Sequence, residues 1–411
     1  MNIERLKEYA HLIAKLGVNV QEGQDVIIRA YFDQPDFVVY VAEECYKLGA
    51  RKVRVEWSHL PLERLDIDMQ SQDTLSEVTD WEIEKLKHNV KTLPAMIYII
   101  SEDPDGLCGV DQKKYAAARA ARTAIIKPYR DSMEDKYQWC IAAVPGVEWA
   151  RKVFPGVSDG EAVEKLWEAI LSCLRVNGNA ISNWNEHNRA LKERYTYLNS
   201  LGLSELHYTA SNGTDLTVGL IEGARFMGGC EPTLGGIIYN PNIPSEEIFT
   251  SPMKGKAEGV VYSSMPFSYQ GRLMENFGFR FENGKVVEVI TDNDEDRKVL
   301  TDMINMDDNS AYLGECALIP YDSPIRNSET IFYNTLFDEN AACHLALGSG
   351  FNGCLEGFEN MTFEQCVEKG INSAFIHEDF MIGTADMCID GKTRDGRIVP
   401  IFRSGNWSLP F

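Results

Sequence analysis

The feature that most narrows the fold lies between residues 26 and 57. An apolar run at 26–30 is followed by a helical stretch at about 37–48, closed by Gly49, and then by a second run at 52–57. Strand, helix and strand in that order make a crossover unit, and its two strands lie parallel in one sheet. Further apolar runs at 95–100 and 138–144 read as buried strands, with helical stretches at about 113–123 and 162–174. Ahead of them, Ile3, Leu6, Ala10, Ile13 and Leu16 recur at helical spacing up to Gly17, which predicts an amphipathic helix with a C-terminal glycine.

Beyond the polar stretch 177–188 the pattern changes to short alternating segments at 205–210, 215–220 and 279–290. Asn212-Gly213 and Asn283-Gly284 fall between alternating runs, a strong hairpin signal. The boundary is therefore placed near residue 180. The reading is an open α/β domain over 1–180 and a mixed α+β domain over 181–411. Neither an internal repeat nor a low-complexity tract interrupts the chain.

Lys plus Arg number 40 and Asp plus Glu 62, so the formal charge is −22, and an acidic surface of that kind repels phosphate backbones. Nucleic acid and anionic membrane are thereby set aside as main partners. The first helical stretch carries Glu4, Lys7 and Glu8 instead of an apolar signal core, and no run approaches the roughly 18 apolar residues needed to span a bilayer. Ten cysteines are scattered without a CxxC pair, which suits reduced thiols in the cytoplasm better than a disulfide framework or a zinc ribbon.

Chemistry-bearing residues concentrate in the C-terminal half. In a strand, His377 and Asp379 share a face while Glu378 points away, so an imidazole and a carboxylate project together. That pair suits a borderline divalent cation, and it equally suits a hydrogen-bonded core pair. His344 follows the polar cluster Asp338-Glu339-Asn340, in which Asp338 or Asn340 could instead cap a following helix. Glu315 leads a short apolar run, where a surface glutamate is the default. Glu246 and Glu247 follow Ser245, and a serine followed by acids can open a helix. The segment 348–353 (GSGFNG) fits GxGxxG, but the poor helix former CLEG follows it and no ribose-binding acid is in place, so a turn-rich loop is the better reading. HExxH, Walker and GxSxG motifs are absent from the sequence.

Taken in order, NIPSEEIFTSP at 242–252, GECALIP at 314–320, YNTLFDENAACHLALG at 333–348 and IHEDFMIG at 376–383 resemble the family of metallo-aminopeptidases typified by aminopeptidase T and aminopeptidase S (PepS). Residues 387–391, RSGNWS at 403–408 and the opening of the chain extend the likeness over essentially its whole length. Four ordered motifs are far more specific than any one of them.

By position, the resemblance implies Glu247, Glu315, His344, His377 and Asp379 as metal ligands, with the carboxylate of Glu339 as a sixth. Glu247 is chosen over Glu246 because related sequences keep the acid directly before the Ile/Val-Phe step. It also implies a pair of divalent ions per chain (zinc, cobalt or manganese), short peptides with a free N-terminus as substrates, and a homodimer enclosing the active site. Two such ions roughly 3.5–4 Å apart supply a bridging hydroxide and a stabiliser for the oxyanion. Four carboxylates with two imidazoles would offset their combined charge. A nearby carboxylate must then shuttle the proton to the leaving amine; Glu315 is the first candidate and Glu339 the next.

One departure stands out: the family has a tyrosine seven residues after the first metal histidine, and this chain has Phe351. A missing oxyanion donor can cost roughly 100- to 1000-fold in rate. Two rival readings follow, a ring-cleaving Fe(II) dioxygenase of the dihydroxypyridine type on the same scaffold and a non-catalytic metal- or peptide-binding protein. Metal content separates them: two ions favour the peptidase, one iron the dioxygenase, and none the binder.

Overall fold

The computed structural model describes residues 2–101, 103–269 and 272–409. The chain divides into two compact units, Met1–Asn185 with Cys230–Pro244, and Glu186–Gly229 with Ser245–Phe411.

In the first unit the apolar runs form a parallel sheet of β1 (Asp25–Tyr31), β2 (Lys52–Ser58), β3 (Ala95–Ile100), β4 (Trp139–Ala143) and β5 (Asn242–Ile243), in the spatial order β2-β1-β3-β4-β5. Ile28 lies opposite both Val55 and Ile97, so the apolar side chains of β1 and β3 sit in register. Val26, Ile27, Ile28, Ile97 and Ala142 are fully buried. The first helix, Ile3–Leu12, continues into a π-helical turn, Ile13–Gly17. A Cβ on Gly17 would come within 2.8 Å of Cys140 Sγ, so the glycine lets this turn pack on β4.

Three features of this unit depart from the sequence reading. Helices occupy Leu60–Met69, Gln72–Ser76 and Asp80–Thr92, where the sequence reading named no element. The helix expected at 113–123 runs over Gln112–Met133 and accommodates Pro128. The segment Cys230–Pro244 returns to this unit, where Asn242 and Ile243 pair with Ile141 and Ala142. A strand of two residues has no periodicity to announce it.

The second unit carries a wholly antiparallel eight-stranded sheet, in the order Lys285–Ile290, Gly278–Glu282, Pro252–Tyr262, Asp215–Leu220, Leu203–Thr209, Cys388–Thr393, Ile398–Arg403 and Asn406–Trp407. At the hairpin between its first two strands, Asn283 and Gly284 have φ values of 51° and 78°. Positive φ at both turn residues is what makes Asn-Gly the favoured pair there.

A second antiparallel sheet holds the chemistry: β6 (Ile248–Thr250), β7 (Leu313–Leu318), β8 (His344–Gly348) and β9 (His377–Met381). One face is apolar, with Ile248, Cys316, Leu318, Leu345, Leu347 and Phe380 in the core of the unit. A fully buried Leu or Phe side chain contributes about 1.5–3 kcal/mol, so this face anchors the sheet. The opposite face carries the acids and histidines.

Candidate metal centre

Strand register brings together residues far apart in the chain. Glu315 on β7 and Asp379 on β9 both lie opposite Ala346 on β8, so the three form one row across the sheet. His344 lies two residues before Ala346, and Gly348, two residues after it, lies opposite His377. Side chains two apart share a face, which places Glu315, His344, His377 and Asp379 together. Glu247 stands immediately before β6, two residues from Phe249 in the row containing Ala317 and His344.

Period-two alternation alone would have set Leu313 and Glu315 on the same face. The register slips at Gly314: Leu313 pairs with Leu347, and Glu315 pairs with Ala346. This β-bulge leaves Leu313 in the apolar core and turns Glu315 to the polar face. A Cβ on Gly314 would overlap the carbonyl oxygens of Ser349 and Gly348, so only glycine fits the kink. A glycine interrupting a strand was the one signal of the bulge in the sequence.

Donor atoms of Glu247, Glu315 and His344 lie within 4.8 Å of one another, as do those of Glu315, His377 and Asp379. The two trios share Glu315. His344 Nε2 is 3.5 Å from Glu247 and 3.9 Å from Asp379; His377 Nε2 is 3.2 Å from Glu315 and 3.5 Å from Asp379. Both rings are fixed from behind, since Nδ1 of His344 donates to the Glu339 carbonyl at 2.9 Å and Nδ1 of His377 to the Ser349 carbonyl at 2.7 Å. A carbonyl can only accept, so Nδ1 carries the proton and Nε2 faces the carboxylates. This is how metal-ligating histidines are held.

Electrostatics show what the cluster lacks. Burial, then the Glu315 carboxylate, push Glu247 up to about 8. Burial, then Asp379 and Glu247, raise Glu339 well above the usual carboxyl range. Burial opposes ionisation of Asp379 too, but His377 and His344 hold it below its ordinary value. Burial also works against a charged His377, yet Asp379 and Glu315 overcome it and push the imidazole up to about 12. His344 is raised against the same burial by Asp379, Glu315 and Glu247. Four carboxylates against two imidazoles leave a cation deficit in a low-dielectric site, where an uncompensated ion costs several kcal/mol. Asp379 Oδ1 is buried without a hydrogen-bond partner although it faces both Nε2 atoms. An orphaned anionic oxygen between two imidazole nitrogens fits a divalent cation.

The residues singled out in the sequence are therefore brought together, and the structural alternatives for several of them are displaced. Glu315 is buried at 4% exposure, not a surface glutamate. Neither Asp338 nor Asn340 caps a following helix, because His344 opens a strand. Asp338 instead accepts the amides of Phe332 and Asn334, and Asn340 Oδ1 accepts that of Glu246 at 2.7 Å. Ser245 opens no helix, since the next element is β6. Within the acidic pair, Glu247 joins the donor cluster, while Glu246 faces His187, 3.8 Å away. His187, a residue the sequence reading passed over, also holds the Ser245 carbonyl at 2.8 Å and so steadies the loop before Glu247. Glu339 lies beside the two trios, coupled electrostatically to Asp379, Glu247 and Glu315. Phe351 covers the cluster's edge, its ring 5.0 Å from that of His377 and 5.5 Å from that of Phe249.

Fold and donor set together define a two-unit metalloenzyme. Residues 2–407 match the family model described as thermophilic metalloprotease (M29). The chain is 41% identical over 408 residues to aminopeptidase AmpS of Bacillus subtilis, with 99% of each chain covered. Its structure superposes on that of wild-type AmpT from Thermus thermophilus with a TM-score of 0.91 at 36% identity, covering 99% of this chain and 100% of the other. A 2,5-dihydroxypyridine dioxygenase from Pseudomonas putida shares the fold at a TM-score of 0.51 and 12% identity, covering 100% and 98% of the two chains. The chain belongs to the thermophilic metalloprotease family and is a metallopeptidase, a hydrolase.

Proposed function

We propose that this metallopeptidase is an aminopeptidase that releases N-terminal residues from short peptides with two divalent ions, zinc, cobalt or manganese. One ion would be held by Glu247, Glu315 and His344, the other by Glu315, His377 and Asp379. The observation that carries the reading is the pair of donor trios sharing Glu315, and the aminopeptidase names of the relatives supply the substrate class. Bound there, the ions would supply an activated water as nucleophile and Lewis acidity toward the scissile carbonyl.

The chain's own residues do the rest. Glu315 belongs to both trios, so its oxygens are committed to positioning. Glu339 stands outside them with a carboxyl whose proton affinity is raised by burial, and it is the group suited to carry a proton to the leaving amine. Phe249 and Phe351 form an apolar edge beside His377 that would border a bound peptide. A homodimer working in the cytoplasm completes the reading; ten cysteines with no disulfide among the described residues accord with that compartment.

The test is direct. Protein stripped with a chelator should lose hydrolysis of a free leucyl peptide, regain it with zinc or cobalt at two ions per chain, and leave the N-acetylated peptide intact. His344→Ala should lower metal content and activity, whereas His59→Ala and His88→Ala should change neither. Equal hydrolysis of acetylated and free peptides overturns the exopeptidase reading. Recovery with one ferrous ion alone, together with oxygen-dependent ring cleavage, favours the dioxygenase.

A further inference from the structure

The GxGxxG-like segment at 348–353 binds no nucleotide in this reading, yet its backbone meets the cluster at Ser349, whose carbonyl faces His377. Ser349 is engaged at each of its polar groups by residues 374–377. Its amide donates to the Ile376 carbonyl at 2.7 Å, and its Oγ donates to the Ala374 carbonyl at 2.8 Å while accepting the Ala374 amide at 3.0 Å. Its carbonyl takes the proton of His377 Nδ1 at 2.7 Å.

The glycines on either side make that approach possible. Gly348 has a φ of 111°, and a Cβ there would overlap the Ile376 carbonyl oxygen. A Cβ on Gly350 would come within 2.9 Å of the Gly314 carbonyl oxygen and of Ser251 Oγ. Asn372, 1% exposed, adds a strut from below, its side-chain amide donating to the Gly348 carbonyl at 2.6 Å while its own carbonyl accepts the Gly350 amide at 2.8 Å.

We propose that Ser349 is a positioning residue for His377: its hydroxyl clasps Ala374 on both sides, and its carbonyl thereby holds the imidazole with Nδ1 protonated and Nε2 turned to Glu315 and Asp379. The metal-affinity consequence rests on the reading of His377 as a ligand; the ring-orientation consequence does not. A carbonyl acceptor behind a ligating histidine fixes tautomer and ring angle, and loss of such a partner lowers metal affinity by roughly 10- to 100-fold.

The experiment uses the full-length chain and two readouts. Zinc affinity is measured by competition with a chelating dye, and solvent exchange of the His377 Nδ1 proton by imidazole NMR, the resonance being assigned by its loss in His377→Gln. Ser349→Ala should weaken zinc binding by about 10-fold or more and speed Nδ1 exchange. Ser349→Thr, which keeps the hydroxyl, should leave both near the parent values. A folded Ser349→Ala protein with parental affinity and exchange overturns the proposal, as do two variants altered alike. If Ser349→Ala does not fold, the parent decides: a His377 Nδ1 proton exchanging as fast as those of exposed His59 and His88 overturns it. If the parent takes up no zinc, the ligand reading fails while the exchange contrast still tests the clasp.

Discussion

Leu313 and Glu315 lie two residues apart on one strand and face opposite sides of the sheet, Leu313 in the apolar core opposite Leu347 and Glu315 in the donor cluster opposite Ala346. The bulge at Gly314 produces this switch. It resolves a conflict between two demands on β7, burial of leucines on one face and delivery of a carboxylate to the other.

Gly314→Ala is therefore expected to act on both demands at once. The added methyl overlaps the carbonyls of Ser349 and Gly348, which are backbone and cannot swing aside. Overpacking of this kind costs about 1–3 kcal/mol. Urea unfolding should show that loss, and metal titration should show weaker binding, because Glu315 moves with the strand. A variant with parental stability and parental metal affinity would show that the bulge tolerates a side chain.

Four of the five parallel strands of the first unit were legible as short runs rich in apolar residues, and the hairpin at Asn283-Gly284 because its turn demands positive φ. His377 and Asp379 could be paired from alternation alone. Gathering them with His344 and Glu315 requires the register of three strands, which no local pattern encodes. The same limit hid Asn242 and Ile243, two residues whose place is set by an available sheet edge. Asp338 and Asn340 looked like helix caps because capping and loop-bracing use the same side-chain oxygens; what they accept from, Phe332, Asn334 and Glu246, is a tertiary fact.

Ala346 supplies a second prediction, since it is fully buried between Glu315 and Asp379 in the row across the sheet. A larger side chain there projects into the space that the two carboxylates share. Ala346→Leu should reduce metal per chain sharply, and it should cost about 1–3 kcal/mol of stability as an overpacked site. Ala346→Gly should keep the metal and lose only about 0.5–1 kcal/mol, from backbone entropy in a strand. Metal analysis of the two folded variants makes the comparison, and equal metal content in both would mean that the row does not bound the site.

In the metal-free protein the cluster makes stability fall as pH rises. Glu247, at about 8 when folded, binds a proton that the unfolded chain releases near 4.5, and His377, at about 12, keeps one that the unfolded chain releases near 6.5. In both cases the folded state holds more protons, so stability is greatest below the unfolded values and is lost as pH climbs through the folded ones. Thermal melts of stripped protein should show Tm decreasing from pH 6 to pH 9. Added zinc competes with those same protons, so its stabilisation should grow over the same range. A Tm of stripped protein that rises with pH would mean that groups elsewhere dominate the titration.

Phe351 stands where the resemblance implies an oxyanion-donating tyrosine. Its ring packs against His377 and Phe249, and the residue is 41% exposed, so the position has room for a hydroxyl. Two other tyrosines keep their phenolic proton free of these contacts: Tyr321 accepts from Arg326 at 3.0 Å, and Tyr312 lies under the Lys254 ammonium, 5.1 Å from its ring centroid. A donor that acts on the tetrahedral species alone stabilises the transition state and not the bound substrate. Phe351→Tyr should therefore raise kcat, by up to about 100-fold, with KM little changed, while Tyr312→Phe and Tyr321→Phe should cost little. Tyr333, held in a left-handed conformation with a φ of 53° in the loop that Asp338 braces, is a third tyrosine to test as a substitute donor. Kinetics of the four single variants at equal metal loading separate the cases. A gain in Phe351→Tyr alone identifies the missing hydroxyl; a loss in Tyr333→Phe with no gain at 351 transfers the role to that loop. No change in any of the four means that no tyrosine donates here, and that bound metal alone, or a chemistry other than hydrolysis, carries the reaction.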